Sequence, residues 1–299
     1  MMLKNFGQME RFVREQSGKK RVALAAAHDA DALGSLMMAV DRGIAEAILI
    51  GRRKEIVRVL DEMGKDAGDF RIIEEEDDRA AADKAVELVH CGEADMPMKG
   101  LMHTSTFMKA ILDKEKGLKE DGNLLSQASV FEIPEKDRFL IISDCAVNID
   151  PDLETKIKIT ENAAALAHTL GIEQPKIAVL SAVEVVNPKI RSTVDAAAMR
   201  ERLSDRYLID GPLALDNAID EAAAHHKGIE SPVAGNADIL IVPDLWSGNI
   251  FSKGLVFFAH LRSAGTLNGL KAPVVMSSRT DTVENKYLSI LTAVLQTIR

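Results

Sequence analysis

The sequence contains little cysteine, few aromatic residues and no long apolar run. Its 299 residues include 2 cysteines, 1 tryptophan and 2 tyrosines, and aromatic residues make up 4% of the chain. Cys91 and Cys145 lie far apart and form no CxxC pair, so they predict no disulfide framework of the kind found in small secreted proteins. No apolar run approaches the roughly 20 residues that span a bilayer. We expect a cytoplasmic protein without a membrane partner.

The chain also lacks an excess of positive charge. Lys and Arg together number 37 against 46 Asp and Glu, which gives a formal net charge of -9. A negative surface disfavours non-specific binding to the phosphates of nucleic acid, so we expect no nucleic-acid partner. An anionic ligand must therefore be held by a local cluster of donors and cations.

Apolar residues are plentiful, at 46% of the chain, and most of them are Ala, Ile, Leu and Val. Short apolar runs alternate with longer amphipathic ones, a pattern that predicts βα units, a parallel sheet and an α/β fold. The predicted strands cover residues 21–27, 45–50, 70–73, 129–133, 139–143, 176–180, 238–242 and 273–276. The predicted helices cover residues 29–42, 53–63, 77–90, 152–170, 188–203 and 213–226, with one more from about residue 248 and a last one ending at residue 297.

Four blocks of sequence, spread over nearly the whole chain, carry a resemblance to a known family. They are MKGLMHTS at 98–105, DGPLALDNA at 210–218, GNADILIVPDLWSGNIFSKGL at 235–255 and APVVMSSRTDTVENK at 272–286. In this order they resemble the phosphate acetyltransferase and phosphate butyryltransferase family, and they are closer to the butyryl-type members. At Trp246 and Ser247 this sequence departs from the Glu-Ala pair that is usual in the family.

The resemblance implies two α/β/α domains of the isocitrate and isopropylmalate dehydrogenase-like fold, with an active site in the interdomain cleft. It implies a discontinuous first domain of residues 1–136 plus 271–299 and a second domain of residues 137–270. The implied reaction is transfer of a short acyl group, butyryl or acetyl, between coenzyme A and inorganic phosphate. Acyl-CoA, phosphate and acyl phosphate are then the ligands, no further cofactor is needed, and a homodimer or larger homo-oligomer is expected.

The last block carries the residues that we expect to bind phosphate. The strand that ends at Met276 runs through Ser278 and Arg279 into a helix, and such a turn presents free backbone N–H groups beside the guanidinium. An N-capping serine beside a surface arginine is the alternative interpretation. The family's Ser-Arg pair favours the first, with Arg279 on the phosphate and Ser278 on the thioester carbonyl or sulfur.

The base that takes the thiol proton is left open. Acetyl-type members of the family place an acidic residue a few positions after the Ser-Arg pair, whereas a gapless match in this sequence falls on Asn285. Asp281 and Glu284 are the remaining candidates, although an Asp at a helix start is more often a cap.

The other blocks supply candidate substrate-binding residues. Lys99 and Gly100 precede a helix whose first turn includes Thr104 and Ser105, a layout that suits an anion, although both hydroxyls are also common helix caps. His103 in the same turn is a candidate proton carrier or a structural residue. The third block adds residues at the end of a predicted strand, where ligands bind in open α/β sheets. They are Asp244, Gly248, Asn249 and Lys253.

Two other functions fit parts of the sequence. His28, Asp29 and Asp31 resemble the start of a metal-dependent phosphoesterase, but the further acidic and histidine motifs of such enzymes do not follow. A non-catalytic paralogue that binds acyl-CoA is the second alternative, because the base position is altered and a fold alone does not establish activity.

Overall fold

The computed structural model describes residues 1–16, 18–120 and 122–299. Helices and strands alternate along most of the chain. The strands are β1 Lys20–Ala25, β2 Ala45–Gly51, β3 Arg71–Glu74, β4 Met96–Lys99, β5 Ser126–Ile133, β6 Arg138–Ser143, β7 Lys176–Leu180, β8 Leu208–Leu213, β9 Ile239–Ile241 and β10 Ser263–Asn268. The helices are α1 Phe6–Glu15, α2 Ala30–Asp41, α3 Arg53–Glu62, α4 Asp78–His90, α5 Thr104–Ile111, α6 Leu153–Thr169, α7 Arg191–Leu203, α8 Leu215–Ile219, α9 Glu221–His226, α10 Leu245–Phe257 and α11 Val283–Gln296.

The chain divides into two compact units. The terminal unit comprises Phe6–Asn123 and Ala264–Arg299, and the central unit comprises Met1–Asn5 and Leu124–Ser263. The domain boundaries expected after residues 136 and 270 remain a prediction. The chain passes from one compact unit to the other at different positions, after residues 5, 123 and 263. Among the described residues, no helix is long and apolar enough to cross a membrane.

The terminal unit is built on a parallel sheet with the strand order β3-β2-β1-β4. Beyond β4, Val275 pairs in parallel with Met98. The central strand β1 is apolar from Val22 onward and fully buried there, as expected for a parallel strand covered on both faces. Because all of these strands run the same way, their carboxyl ends lie at one edge of the sheet.

Helix α11 lies deep in the terminal unit and is held there by α1 and α2. Most of α11 is buried, including Tyr287. The hydroxyl of Tyr287 donates to Glu10 Oε2 at 2.9 Å, and the guanidinium of Arg42 lies over the tyrosine ring, 4.6 Å from its centroid. Arg42 Nη1 also reaches Glu10 Oε2 at 2.7 Å. These contacts fix the helix that follows the predicted phosphate-binding turn.

The central unit contains a mixed sheet in which the strands follow the order β5-β6-β9-β7-β8. β5 runs antiparallel to β6, whereas β6, β9, β7 and β8 are parallel. The core forms between this sheet and its helices, with Phe131, Ile142 and Leu240 fully buried. The prediction of an α/β fold is therefore confirmed, with one antiparallel strand that the alternation of elements did not predict.

Several predicted elements differ from those observed. The expected helix over residues 213–226 is wrong, because Asp220 is extended and its side chain accepts from Ala223 N at 2.7 Å, which starts α9 as a separate helix. The strand β8 was missed because it contains Pro212, and β8 is an edge strand, where proline is tolerated. The strand expected at 273–276 is reduced to single bridges made by Val274 and Val275.

Two glycines of α10 give a matched test of the packing in the central unit. A Cβ at Gly248 would lie 2.5 Å from Asp144 O and 2.8 Å from Val242 Cγ2, whereas a Cβ at Gly254 meets nothing within 4 Å. We expect Gly248→Ala to lower the free energy of unfolding by about 1–3 kcal/mol. Gly254→Ala should raise it by about 0.5–1 kcal/mol, because Ala suits a helix better. Urea denaturation measures both changes, and equal effects would contradict the packing.

Candidate active site

The turns that follow β1 and β4 meet at the carboxyl edge of the terminal unit's sheet. Ala25 of β1 is in register with Lys99 of β4. Beyond the strands, Gly100 N donates to Ala25 O at 2.8 Å, and Leu101 N donates to Ala26 O at 3.1 Å. A Cβ at Gly100 would lie 2.3 Å from Ala26 O, so only glycine fits this close approach of two backbones. The approach determines where Lys99 and the start of α5 lie.

The Ser-Arg turn, residues 278–281, is held in place by its own polar groups. Ser278 N donates to Asp281 Oδ2 at 2.7 Å, and Asp281 N donates to Ser278 O at 3.2 Å. The hydroxyls of Ser278 and Thr280 are 3.1 Å apart. Thr282 caps α11 by accepting from Asn285 N at 3.1 Å. The turn therefore has a defined shape that leaves the side chain of Arg279 exposed.

Arg279 and the first turn of α5 lie together. Arg279 Nη2 is 3.3 Å from His103 Nδ1. His103 is the N-cap residue of α5, and Thr104 and Ser105 follow it in exposed positions at the helix start. The predicted phosphate-binding arginine is thus beside a helix N-terminus, where backbone N–H groups favour an anion.

Lys99 is a buried cation in this cluster. Its side chain donates to Gly100 O at 3.2 Å and to Met102 O at 3.4 Å, and no described residue forms an ion pair with it. Burial lowers the pKa of Lys99, and the positive charges of Arg279 and Lys286 lower it further, while Asp29 acts in the opposite direction. A negatively charged ligand at this place would favour the protonated lysine.

Lys286 is a second buried cation, which the sequence interpretation did not select. It is 2% exposed, donates to the carbonyl oxygen of Asp281 and lies 3.9 Å from Asp31 Oδ2. It therefore fixes the end of the Ser-Arg turn and adds positive charge. The first half of α11, VENKYLS, is mixed in polarity, so nothing in the sequence signalled that this lysine is buried.

The candidate bases occupy different environments. Asp281 is half-buried and its carboxylate accepts the Ser278 N–H, whereas Glu284 is exposed in the first turn of α11. Asn285, at the position that is acidic in acetyl-type members, is 7% exposed. The assignment of the base to Asp281 or Glu284 stays a prediction.

The candidates of the third block lie in the central unit, at the carboxyl end of β9 and in α10. Asp244 caps α10 by accepting from Ser247 N at 2.8 Å, and Gly248 packs on the backbone of Asp144. Asn249 Nδ2 donates to Cys145 O at 3.1 Å. Lys253 is exposed. Gly248 and Asn249 thus contact the residues that follow β6, and the roles of all four candidates toward substrate stay predictions.

Asp144 organises that region and was missed by the sequence analysis. It is 3% exposed, and its carboxylate accepts from Ala146 N at 2.8 Å, Val147 N at 2.9 Å and Asn148 Nδ2 at 2.6 Å. It also accepts from Gln127 N at 3.2 Å. The signal for it was an acidic residue directly after an apolar strand.

The residues that resembled a metal site have other contacts. Asp29 caps α2 by accepting from Asp31 N at 3.1 Å, and His28 Nε2 lies 3.9 Å from Glu55 Oε2. Within the described part of the chain, no group of three or more His, Cys, Asp or Glu side chains is placed to hold a metal ion.

Residues 80–294 match the model of the phosphate acetyl/butaryl transferase family. The chain belongs to this family. It is 46% identical to the phosphate butyryltransferase of Clostridium acetobutylicum over 98% of each chain. It is 42% identical to the phosphate acetyltransferase of Thermotoga maritima, over 94% of this chain and 97% of that one.

A solved structure shares the fold. The crystal structure of a branched-chain phosphotransacylase from Enterococcus faecalis V583 superimposes with a TM-score of 0.83 at 35% identity, covering 93% of this chain and 98% of the other. The family and the enzyme class predicted from the four sequence blocks are therefore confirmed: this is a member of an acyltransferase family. The relatives are named for butyryl transfer in one case and for acetyl transfer in the other, so their names do not decide which acyl group this chain transfers.

The role of Asp144 can be tested by an isosteric change. Asp144→Asn turns an NH₂ group toward backbone N–H donors that have a carboxylate as their partner in the wild type. We expect the free energy of unfolding to fall by about 3 kcal/mol. Asp150→Asn is the matched control, because Asp150 is exposed and pairs with the exposed Arg191. Chemical denaturation of both variants measures the difference, and an Asp144→Asn variant as stable as the control would refute the role.

Proposed function

We propose that this chain is a phosphate acyltransferase that converts acyl-CoA and inorganic phosphate into acyl phosphate and coenzyme A, with a short acyl group such as butyryl or acetyl. The family membership supports the reaction class. The relatives named for butyryl and acetyl transfer support the acyl groups. The substrates are then acyl-CoA, phosphate and acyl phosphate.

The observation that carries the proposal is the cluster of three cations at the edge of the terminal unit's sheet. Lys99 and Lys286 are buried and Arg279 is exposed beside them. Buried charges are costly unless they are paired, and no described residue forms an ion pair with Lys99, so a negatively charged ligand would stabilise this cluster. Inorganic phosphate carries up to two negative charges near neutral pH, and an arginine binds it through two parallel hydrogen bonds.

The transfer proceeds by direct displacement in a ternary complex. In the direction of acyl-CoA synthesis, the thiolate sulfur forms a bond to the acyl carbon, and the bond from that carbon to the phosphate oxygen breaks. Arg279 stabilises the charge of the leaving phosphate, and the hydroxyl of Ser278 donates a hydrogen bond to the carbonyl oxygen or the sulfur. The thiol proton goes to Asp281 or Glu284. Orienting two bound substrates in this way lowers the barrier by about 7–11 kcal/mol.

No covalent enzyme intermediate and no cofactor are part of this mechanism. Burial raises the pKa of the Cys145 thiol, and Asp144 raises it further, so that thiol stays protonated and is not an activated nucleophile. In the central unit, Asp244, Gly248, Asn249 and Lys253 are proposed to contact substrate.

We infer that the protein works in the cytoplasm as a homodimer or larger homo-oligomer, without nucleic-acid or membrane partners. Cys91 and Cys145 are free thiols, which suits a reducing compartment. Trp246, Ile250 and Phe257 lie on one face of α10 and are 59%, 71% and 53% exposed. A second copy of the chain would bury this apolar stripe, and the mass measured by light scattering tests it, since a monomer would contradict the inference.

The proposed function is tested by free-thiol release from acyl-CoAs of different chain length, from acetyl to pentanoyl and branched forms. Each is assayed with and without inorganic phosphate. Release that depends on phosphate supports the transferase and ranks the acyl groups. Release without phosphate would instead indicate a thioesterase, and no release would indicate a non-catalytic protein that binds acyl-CoA.

Arg279→Ala should lower kcat/KM for phosphate by about 100-fold or more, because the charge on the phosphate loses its bidentate partner. The melting temperature should be almost unchanged, since the Arg279 side chain is exposed. Arg58→Ala is the control, because Arg58 is an exposed arginine of the same unit that pairs with Glu62 on its own helix. Wild-type turnover of the Arg279→Ala variant would remove this residue from the mechanism.

The lowered pKa of Lys99 gives a pH dependence with a definite sign. The protonated lysine binds phosphate, and it loses its proton below the ordinary value of 10.5. We expect KM for phosphate at saturating acyl-CoA to rise with pH in the wild type, at pH values below 10.5. In Lys99→Met, KM should be high throughout and should lose that rise. Lys109→Met, which removes an exposed lysine of α5, should keep the wild-type profile.

A further inference from the structure

The side chain of His103 lies within hydrogen-bond distance of Arg279, and the chemistry of the two groups fixes how they interact. Arg279 Nη2 and His103 Nδ1 are 3.3 Å apart. A guanidinium has only donors and stays protonated in proteins, so the histidine nitrogen must be the acceptor. His103 is therefore neutral in this contact, with its proton on Nε2.

The backbone around His103 prepares the ring for this contact. His103 is the N-cap residue of α5, with φ −64° and ψ 137°, but its side chain makes no capping hydrogen bond to the helix. Histidine lacks the short side-chain oxygen that Ser, Thr, Asp or Asn uses at this position. Its carbonyl oxygen accepts from Thr106 N at 3.0 Å, and the ring is left for Arg279.

The charged groups around the pair make an acceptor more useful than a further cation. Arg279 and Asp281 lie on the Ser-Arg turn, Lys99 at the end of β4, Asp29 before α2 and Lys286 on α11. Arg279 has no carboxylate partner within ion-pair distance among the described residues, so the imidazole is what restrains its exposed side chain. A neutral acceptor restrains the guanidinium without cancelling the charge that an anion needs.

We propose that His103 is a positioning residue that holds Arg279 in the orientation in which it binds phosphate. This inference rests on the proposed function and adds a residue to it. The histidine acts through the arginine, and its Nδ1 lone pair is the part that matters. The same assignment leaves Nε2 protonated, so His103 is not the base for the coenzyme A thiol.

Three substitutions separate the acceptor from the rest of the ring. Asn places an oxygen near the position of Nδ1, Gln places its amide farther out, and Phe keeps the ring shape without an acceptor. We expect His103→Phe and His103→Gln to raise KM for phosphate by about 10-fold to 100-fold, the effect of losing a hydrogen bond to a charged group. His103→Asn should raise it by no more than about threefold. KM for acyl-CoA should stay the same in all three.

A double-mutant cycle with Arg279→Ala tests whether the histidine acts through the arginine. In the Arg279→Ala background, His103→Phe should have no further effect on KM for phosphate. His90→Phe is the control for the substitution itself, because His90 is exposed at the end of α4. Additive effects of His103→Phe and Arg279→Ala, or equal KM values for the Asn and Phe variants, would overturn the proposal.

Binding of inorganic phosphate, measured by calorimetry, reports the same contact without turnover. Weaker phosphate binding by His103→Phe than by the wild type supports the positioning role, and equal binding overturns it. A wild type that binds phosphate but releases no thiol would refute the proposed function while leaving the role of His103 intact. A wild type that does not bind phosphate would overturn both.

Discussion

The buried ammonium group of Lys99 is the constraint on which the rest of the candidate site depends. Two backbone carbonyls accept its hydrogen bonds, and no described residue pairs with it as an anion. Arg279 and Lys286 add two more positive charges nearby. A rigid surround and a negatively charged ligand would both stabilise such a cluster.

The scaffold provides the rigidity through backbone contacts and buried anchors. Gly100 brings the turn after β4 against β1, which fixes the carbonyl that Lys99 contacts. Lys286 holds the Asp281 carbonyl from inside α11, and Tyr287 ties that helix to Glu10 of α1. Arg279 is left as the exposed cation, with His103 as its neighbour. Rigid surroundings and one exposed arginine are a suitable arrangement for an anion that must bind and leave.

The sequence predicted most of the elements because each buried strand is a short, continuous apolar run. The runs that became β1, β2, β6 and β7 are apolar and flanked by polar turns, so their burial could be predicted from composition alone. Prediction was wrong where the position of an element in the fold overrides its sequence pattern. Pro212 lies in an edge strand, and the edge position cannot be derived from residue type. Helix α1 was not predicted, although its buried residues Phe6, Met9 and Val13 have helical spacing.

By itself the sequence determined the family, the α/β class and the Ser-Arg turn, because these depend on residue types in a fixed order along the chain. Tertiary structure decided which cations act together. Lys99 and His103 come from one segment, and Arg279 and Lys286 come from another that is far away in the sequence. The parallel pairing of β1 with β4, and of Met98 with Val275, brings the two segments to one edge of the sheet. The same holds for Asp144, whose importance comes from the N–H groups that converge on it. Burial and charge depend on distances in space, and a linear sequence does not contain those distances.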